Sequence, residues 1–156
     1  MTEKRRVLFV CTGASCRSQI AAGWAQHIAG DHLRAFAAGT DPQGLNPRAV
    51  AIMREIGVDI GQSRSASVYE FLGANLPDCV ITVCSEAGPN CPEFSSPVLT
   101  LRWSFDDPAS ADGNEAEVEA VFRRVRDEIC ESVSRWVCRE FDLDPVSSSV
   151  GSERTA

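Results

Sequence analysis

Along this chain, short unbroken apolar runs alternate with stretches in which apolar residues recur every three or four positions. The run RRVLFVC at residues 5–11 suits a strand covered on both faces, because a strand with one wet face would alternate instead. Beyond Ser18, the residues Ile20, Trp24 and Ile28 fall four apart and predict one apolar helical stripe. LRAFAAG at 33–39 reads as a second strand closing on Gly39. In LNPRAVAIMREIG at 45–57, Asn46 can cap a helix, Pro47 suits its first position and Gly57 its exit. SVYEFLGAN at 67–75 carries a weaker helical pattern. DCVITVC at 78–84 and PVLTLRW at 97–103 are apolar and rich in β-branched residues, which predicts a third and a fourth strand. Val118, Val121, Phe122, Val125, Ile129, Val133, Trp136 and Val137 then trace one face of a long helix. Strands and helices in alternation predict an α/β fold with a parallel sheet and crossover helices. After Phe141 the periodicity is lost, so a single domain over 1–141 and a flexible tail over 142–156 are expected.

Composition narrows the function classes. With 44% apolar and 24% charged residues the chain resembles ordinary globular proteins. A net charge of -7 repels nucleic acid and anionic lipid, so neither is an expected partner, and an anionic substrate must be drawn by local donors. The apolar core near the N-terminus spans only Val7 to Val10, too short for an export signal, and no stretch approaches a membrane span. The expectation is a cytoplasmic protein with no membrane association. Seven cysteines in a reducing compartment do not form a disulfide framework, which leaves metal binding, redox chemistry or plain burial. Cys11 and Cys16 have a zinc-like C-x4-C spacing, but Arg17 follows at once and sets a cation beside a cation site, so no metal is expected.

The segment VLFVCTGASCRSQ carries the chemistry. A strand that turns through small residues into a helix leaves successive backbone N–H groups pointing inward, and the helix start adds partial positive charge. Thr12, Gly13, Ala14, Ser15, Cys16, Arg17 and Ser18 together can hold a tetrahedral oxyanion. Arg17 adds a planar fork for two oxygens, which lysine would not reproduce. Cys11 stands at the loop entrance in the same field, which favours thiolate over thiol, and Ser18 can donate to that thiolate. The plain alternative is that Cys11 is a small buried hydrophobe at a strand end, and the strand–loop–helix context argues against it. Cys84 ends the third predicted strand, where ligands of open α/β sheets gather, and should lie near Cys11. Cys91 follows SEAGPN, whose Gly88, Pro89 and Asn90 favour turning, so a Cys84–Cys91 pair can close only if that segment bends. Burial without redox chemistry is the alternative for both. Packing is the simpler account for Cys79, Cys130 and Cys138, and for Cys16 the backbone N–H matters more than the sulfur. His27 and His32 read as surface residues.

CTGASCRSQ resembles the C-x5-R-S phosphate loop of the low-molecular-weight protein tyrosine phosphatase superfamily, and ITVCSEAGPNCP with RWSFDDPA is similar to its thioredoxin-coupled arsenate reductases. The similarity runs from about residue 5 to about residue 140 and includes AAGT, LNPRAV and FRRVRDEI. The resemblance implies a four-stranded parallel sheet flanked by helices, a Rossmann- or flavodoxin-like three-layer fold. It implies that Cys11 attacks arsenate, for which phosphate or sulfate can stand in, that Cys84 then attacks Cys11 as arsenite leaves, and that Cys91 attacks Cys84. Thioredoxin would reduce the resulting disulfide, and no cofactor is called for. Asp107 of the Asp-Pro pair would protonate the leaving oxygen, while Asp106 reads as a solvated carboxylate. The family usually has Asn where Ala14 stands, bracing the loop, and in some members Asn, Glu, Ser and Asp hold potassium. Ala14, Ala22, Ala37 and Ala66 stand at those positions and offer no side-chain oxygen, so that site cannot form and the loop is expected to be looser. Two other functions stay open: a phosphatase acting on aryl phosphates through Cys11, and an oxyanion or redox sensor with little turnover. DDPASADG offers no aromatic side chain to stack on an aryl ring, which ranks the phosphatase second.

Overall fold

The computed structural model describes residues 3–84, 91–94 and 97–143. Five parallel strands form one sheet in the order β3-β2-β1-β4-β5: β1 Arg5–Cys11, β2 Leu33–Gly39, β3 Ala66–Ser67, β4 Cys79–Thr82 and β5 Leu99–Arg102. Four of these are the expected strands. The fifth, β3, pairs only Ala66 and Ser67 with Ala38 and Gly39, too short to carry any period. The four-strand count is therefore corrected to five. Val7 to Val10 of the central β1 are fully buried, as a continuous apolar run requires.

Helices flank this sheet. α1 spans Arg17–Ala29 and crosses from β1 to β2; α2 spans Pro47–Arg54, with Asn46 Oδ1 accepting from Arg48 N at 2.8 Å and Pro47 opening the helix. α3, Glu115–Phe141, starts in a capping box in which Asn114 Oδ1 accepts from Glu117 N at 2.9 Å and Glu117 Oε1 from Asn114 N at 2.8 Å. It ends at Asp142, whose left-handed backbone lets its N–H bond to Cys138 O. The buried Trp24 indole donates to Ser134 Oγ at 2.8 Å and joins α1 to α3, and Arg126 donates to Ile52 O at 2.9 Å and joins α3 to α2. The weak helical pattern at 67–75 becomes two 3-10 turns, Val68–Phe71 and Gly73–Asn75. A capping box of Ser67 and Glu70 starts the first, and Gly73, at a φ of 69°, takes the chain out of helical geometry. Of the tail expected over 142–156, residues 144–156 lie outside the described residues. Among those described, no helix is long and apolar enough to cross a membrane.

The strand order places the site. β1 has β2 on one side and β4 on the other, so the chain reverses its direction of growth between β1 and β4. In open α/β sheets, ligands bind at such a switch point, beyond the carboxyl ends of the strands. Cys11 closes β1, whereas Cys84, expected to end its strand, stands two residues beyond the end of β4 at Thr82.

Candidate active site

β1 ends on Cys11 and α1 begins at Arg17, so residues 12–16 make the whole turn. Their carbonyls are all drawn outward. Cys11 O, Thr12 O, Gly13 O and Ser15 O accept from the backbone N–H groups of Thr40 (3.2 Å), Asp41 (2.8 Å), Gln43 (2.8 Å) and Asn46 (3.1 Å). Ala14 O accepts from Gln19 Nε2 at 2.9 Å, and Cys16 O from Ile20 N at 2.9 Å. The β2–α2 connection thus wraps the loop and takes up its acceptors, which leaves the peptide N–H groups to the inner side. α1 starts with no side-chain cap and no acidic residue in its first turn, so its dipole adds to this positive lining.

Two details fit the backbone to this path. A Cβ on Gly39 would lie 2.4 Å from Thr12 O and 2.8 Å from Ala14 N, so β2 must end on glycine for the loop to rest against it. Ala14 is fully buried with φ at 51°, a left-handed conformation that costs a non-glycine residue roughly 1–2 kcal/mol. The loop holds it there by the bond to Gln19 and by Ser65 Oγ, which donates to Gly13 O at 3.2 Å.

The loop encloses a cavity of about 260 Å³. Cys11, Thr12, Gly13, Ser15, Cys16 and Arg17 form its inner lining, and Gln43, Asp107 and Ala109 its mouth. Ala14 and Ser18 are fully buried behind the lining. Cys11, 2% exposed, has its Sγ 3.0 Å from Ser18 Oγ: the thiol donates to the hydroxyl, and on ionisation the hydroxyl can turn to donate to the thiolate. The buried Arg17 guanidinium donates to Phe105 O at 3.0 Å and lies 3.7 Å from Asp107 Oδ2, so one cation anchors the 103–110 segment and faces the cavity. Asp107 is half-buried; its Oδ1 accepts from Ala109 N at 3.0 Å and its Oδ2 from Ser110 Oγ at 3.3 Å, which aims the carboxyl at the mouth. Asp106 points elsewhere, to Arg124 at 3.1 Å, as a solvated carboxylate does.

The other thiols divide by environment. Cys84 is 1% exposed and its Sγ lies 3.6 Å from Thr12 Oγ1, which places it directly behind the loop that carries Cys11. Cys91 is half-buried, and burial pushes its thiol up, partly offset by the Arg102 charge. The bending segment expected at 85–90 lies outside the described residues. Burial pushes Cys16 up to about 12, with the Ser15 hydroxyl opposing it, so its sulfur stays a thiol near neutrality. Cys79 and Cys130 are buried in the core and Cys138 is half-buried, in keeping with packing roles; His27 and His32 are exposed.

Three contributors lay outside the sequence expectations: Gln19, Gln43 and Ala109. Gln19 stood in the CRSQ segment, and a signal was present, since a fully amidic side chain beside the Ile20 stripe must satisfy its polar atoms when buried. The potassium arrangement does not fit this chain. Ala14, Ala22 and Ala66 are packed into the interior and Ala37 is half-buried, with no side-chain oxygen among them.

Comparison with known proteins places this geometry in context. The family model for low molecular weight phosphotyrosine protein phosphatase matches residues 6–145. The arsenate reductase of Bacillus licheniformis is 46% identical over 133 residues, covering 85% of this chain and 95% of that protein. A solved arsenate reductase in an oxidized state superposes with a TM-score of 0.73 at 30% identity, over 86% of this chain and 98% of that one. The Corynebacterium glutamicum thioredoxin-dependent arsenate reductase gives a TM-score of 0.59 at 27% identity, over 86% of this chain and 64% of that one.

Proposed function

Because the chain belongs to the low molecular weight phosphotyrosine protein phosphatase family, we propose that it reduces arsenate to arsenite through Cys11, Cys84 and Cys91, with a thioredoxin as electron donor. The observation that carries this reading is the contact of the Cys84 sulfur with Thr12, which puts a second thiol against the loop that holds the first. A hydrolase working through Cys11 has no use for it. The relatives point the same way: one is named an arsenate reductase, and another a thioredoxin-dependent one.

The loop amides and the Arg17 fork bind the arsenate oxygens, and the Cys11 thiolate attacks arsenic. Asp107 gives a proton to the departing oxygen, which leaves as water. The Cys84 thiolate then attacks Cys11 Sγ; an S–S bond forms, the S–As pair passes to arsenic, As(V) becomes As(III) and arsenite departs. Cys91 attacks Cys84 Sγ and frees Cys11. The Cys84–Cys91 disulfide accepts two electrons from a thioredoxin dithiol, so one arsenate and two thiols give one arsenite, one water and one disulfide. A thioredoxin donor implies a reducing compartment, and we assign the protein to the cytoplasm.

The decisive experiment is arsenate-driven disulfide mapping with thioredoxin withheld. One Cys84–Cys91 link should form per arsenite released, and Cys11→Ser should abolish both. Full multiple turnover in Cys91→Ser would overturn the relay. An aryl phosphatase is the second reading, favoured by the Arg17 and Asp107 arrangement alone; the mouth residues Gln43 and Ala109 supply no ring face. Efficient phosphotyrosine hydrolysis without arsenate reduction would reverse the order. Oxidation of the thiol pair without arsenate turnover would instead mark a sensor.

A further inference from the structure

Gln19 is 1% exposed, yet its carboxamide points to the back of the oxyanion loop. Its Nε2 donates to Ala14 O at 2.9 Å and to Arg64 O at 3.0 Å. Both partners are carbonyls, so the orientation of the amide is settled by the bonds it makes. Next to Arg64, Ser65 Oγ donates to Gly13 O at 3.2 Å and accepts from Gly44 N at 3.1 Å. Two successive loop carbonyls, those of Gly13 and Ala14, are therefore tied to residues 64 and 65, immediately before β3. The two-residue strand fastens that segment to Ala38 and Gly39 at the end of β2. Ala14 has only a methyl group to hold itself in its left-handed conformation.

We propose that Gln19 is the positioning residue of the oxyanion loop: by clamping Ala14 O to Arg64 O it holds the left-handed turn at Ala14 and so keeps the neighbouring peptide N–H groups aimed at the bound anion, with Ser65 as the second arm of the clamp. Peptide units are rigid planes, so holding the carbonyl of Ala14 outward fixes the N–H of Ser15 on the opposite side. A loop free to flip that peptide would present a carbonyl to the anion, and binding would be reduced by the fraction of time it did so. Gln19 does not touch the anion. Its replacement leaves the buried Ala14 carbonyl without its partner, the costly kind of hydrogen-bond loss, and frees the part-buried carbonyl of Arg64.

The inference rests on the loop being an oxyanion site, and the test keeps the two apart. The probe is inorganic phosphate, read as protection of Cys11 from iodoacetamide, with alkylated Cys11 followed by peptide mass. In the unaltered protein phosphate should protect Cys11; failure there rejects the oxyanion site itself, and the clamp with it. In Gln19→Leu the half-protecting phosphate concentration should rise about tenfold, the equivalent of one net buried hydrogen bond. In Ser65→Ala, which removes one hydroxyl from a half-buried position and keeps the protein folded if Gln19→Leu does not, the rise should be roughly two- to threefold. Ile129→Val, in the core of α3, should lower the melting temperature without moving the phosphate concentration, whereas if lost stability alone weakened phosphate binding, Ile129→Val would move both together. Unchanged protection in both Gln19→Leu and Ser65→Ala, or an equal change in Ile129→Val, overturns the proposal.

Discussion

Replacing Gly39 with alanine tests the loop geometry most directly, because a single methyl group is aimed at it. The added Cβ would stand 2.4 Å from Thr12 O, 2.8 Å from Ala14 N and 3.0 Å from Gly13 C. Ordinary contacts of a methyl carbon begin near 3.5 Å, so loop and strand must separate by about 1 Å. All three obstacles are backbone, and no side chain can swing away. The loop cannot slide off as a unit either, because Asp41, Gln43 and Asn46 hold its carbonyls on one side and β1 continues from it on the other. Overpacking of this kind costs about 1–3 kcal/mol. For a chain of this size that corresponds to a fall in Tm of roughly 2–12 °C. The effect on chemistry should be larger, since a displacement of about 1 Å in a positioned site costs on the order of 100-fold in rate. Turnover in a coupled assay with thioredoxin, its reductase and NADPH measures the second quantity, and thermal unfolding the first. Full turnover with an unchanged Tm in Gly39→Ala would mean that the loop is not held against β2, and the account of its rigidity would be wrong.

Arg17→Lys keeps a charge but gives up the planar fork and the bond to Phe105 O, so kcat/KM for arsenate should fall on the order of 100-fold with the fold intact by circular dichroism. Asp107→Asn retains the Oδ1 bond from Ala109 N but has no proton to give; single-turnover arsenite release should slow by about 10²- to 10⁴-fold while phosphate still protects Cys11. Stability should fall with rising pH above the ordinary thiol value of 9.0, because burial pushes Cys16 up to about 12 and Cys79 up to about 11. Between those values the unfolded thiols lose their protons while the folded ones keep them, so the stabilisation is complete below 9.0 and is lost as the pH climbs through the folded values. Unfolding temperatures between neutral and strongly alkaline pH should show the decline, and Cys79→Ala should flatten it.

Legibility of this molecule in its sequence follows the range of the forces involved. β1 and β2 fall where the apolar runs predict them because their fully or partly buried faces leave a local mark. α2 was bracketed by its own cap, proline and exit glycine, all within a dozen residues. β3 left no mark, since Ala66 and Ser67 become a strand only by meeting Ala38 and Gly39. The site divides in the same way. Cys11 and Arg17 were legible from a strand, a small-residue loop and a helix in direct succession, whereas Asp107 needed the family resemblance. Gln19 was hidden because its second partner is Arg64, and Gln43 because its role depends on bonding to Gly13 across the β2–α2 connection. The looseness expected from the missing asparagine at position 14 is met by bonds that no local pattern encodes.

In the proposed relay, the strand order lets two nucleophiles work on one anion without crowding it. β4 pairs with β1 in parallel, with Thr82 opposite Val10, so Cys11 and Cys84 emerge at the same edge of the sheet from adjacent strands. Adjacent strands lie about 4.8 Å apart, so the segments that carry the two thiols leave the sheet side by side. Arg17 and Asp107 line the cavity proposed to hold the anion, while Cys84 stands behind Thr12 and outside the cavity lining. In the proposed relay, attack by Cys84 on Cys11 therefore comes from a different direction from that of the bound oxygens. Cys91 belongs to no strand and is half-buried, where Cys84 is 1% exposed. In the proposed relay the oxidising equivalent thus moves from two buried sulfurs to one nearer solvent. A protein donor then needs to reach only the last thiol, and the oxyanion loop can stay rigid through the whole cycle.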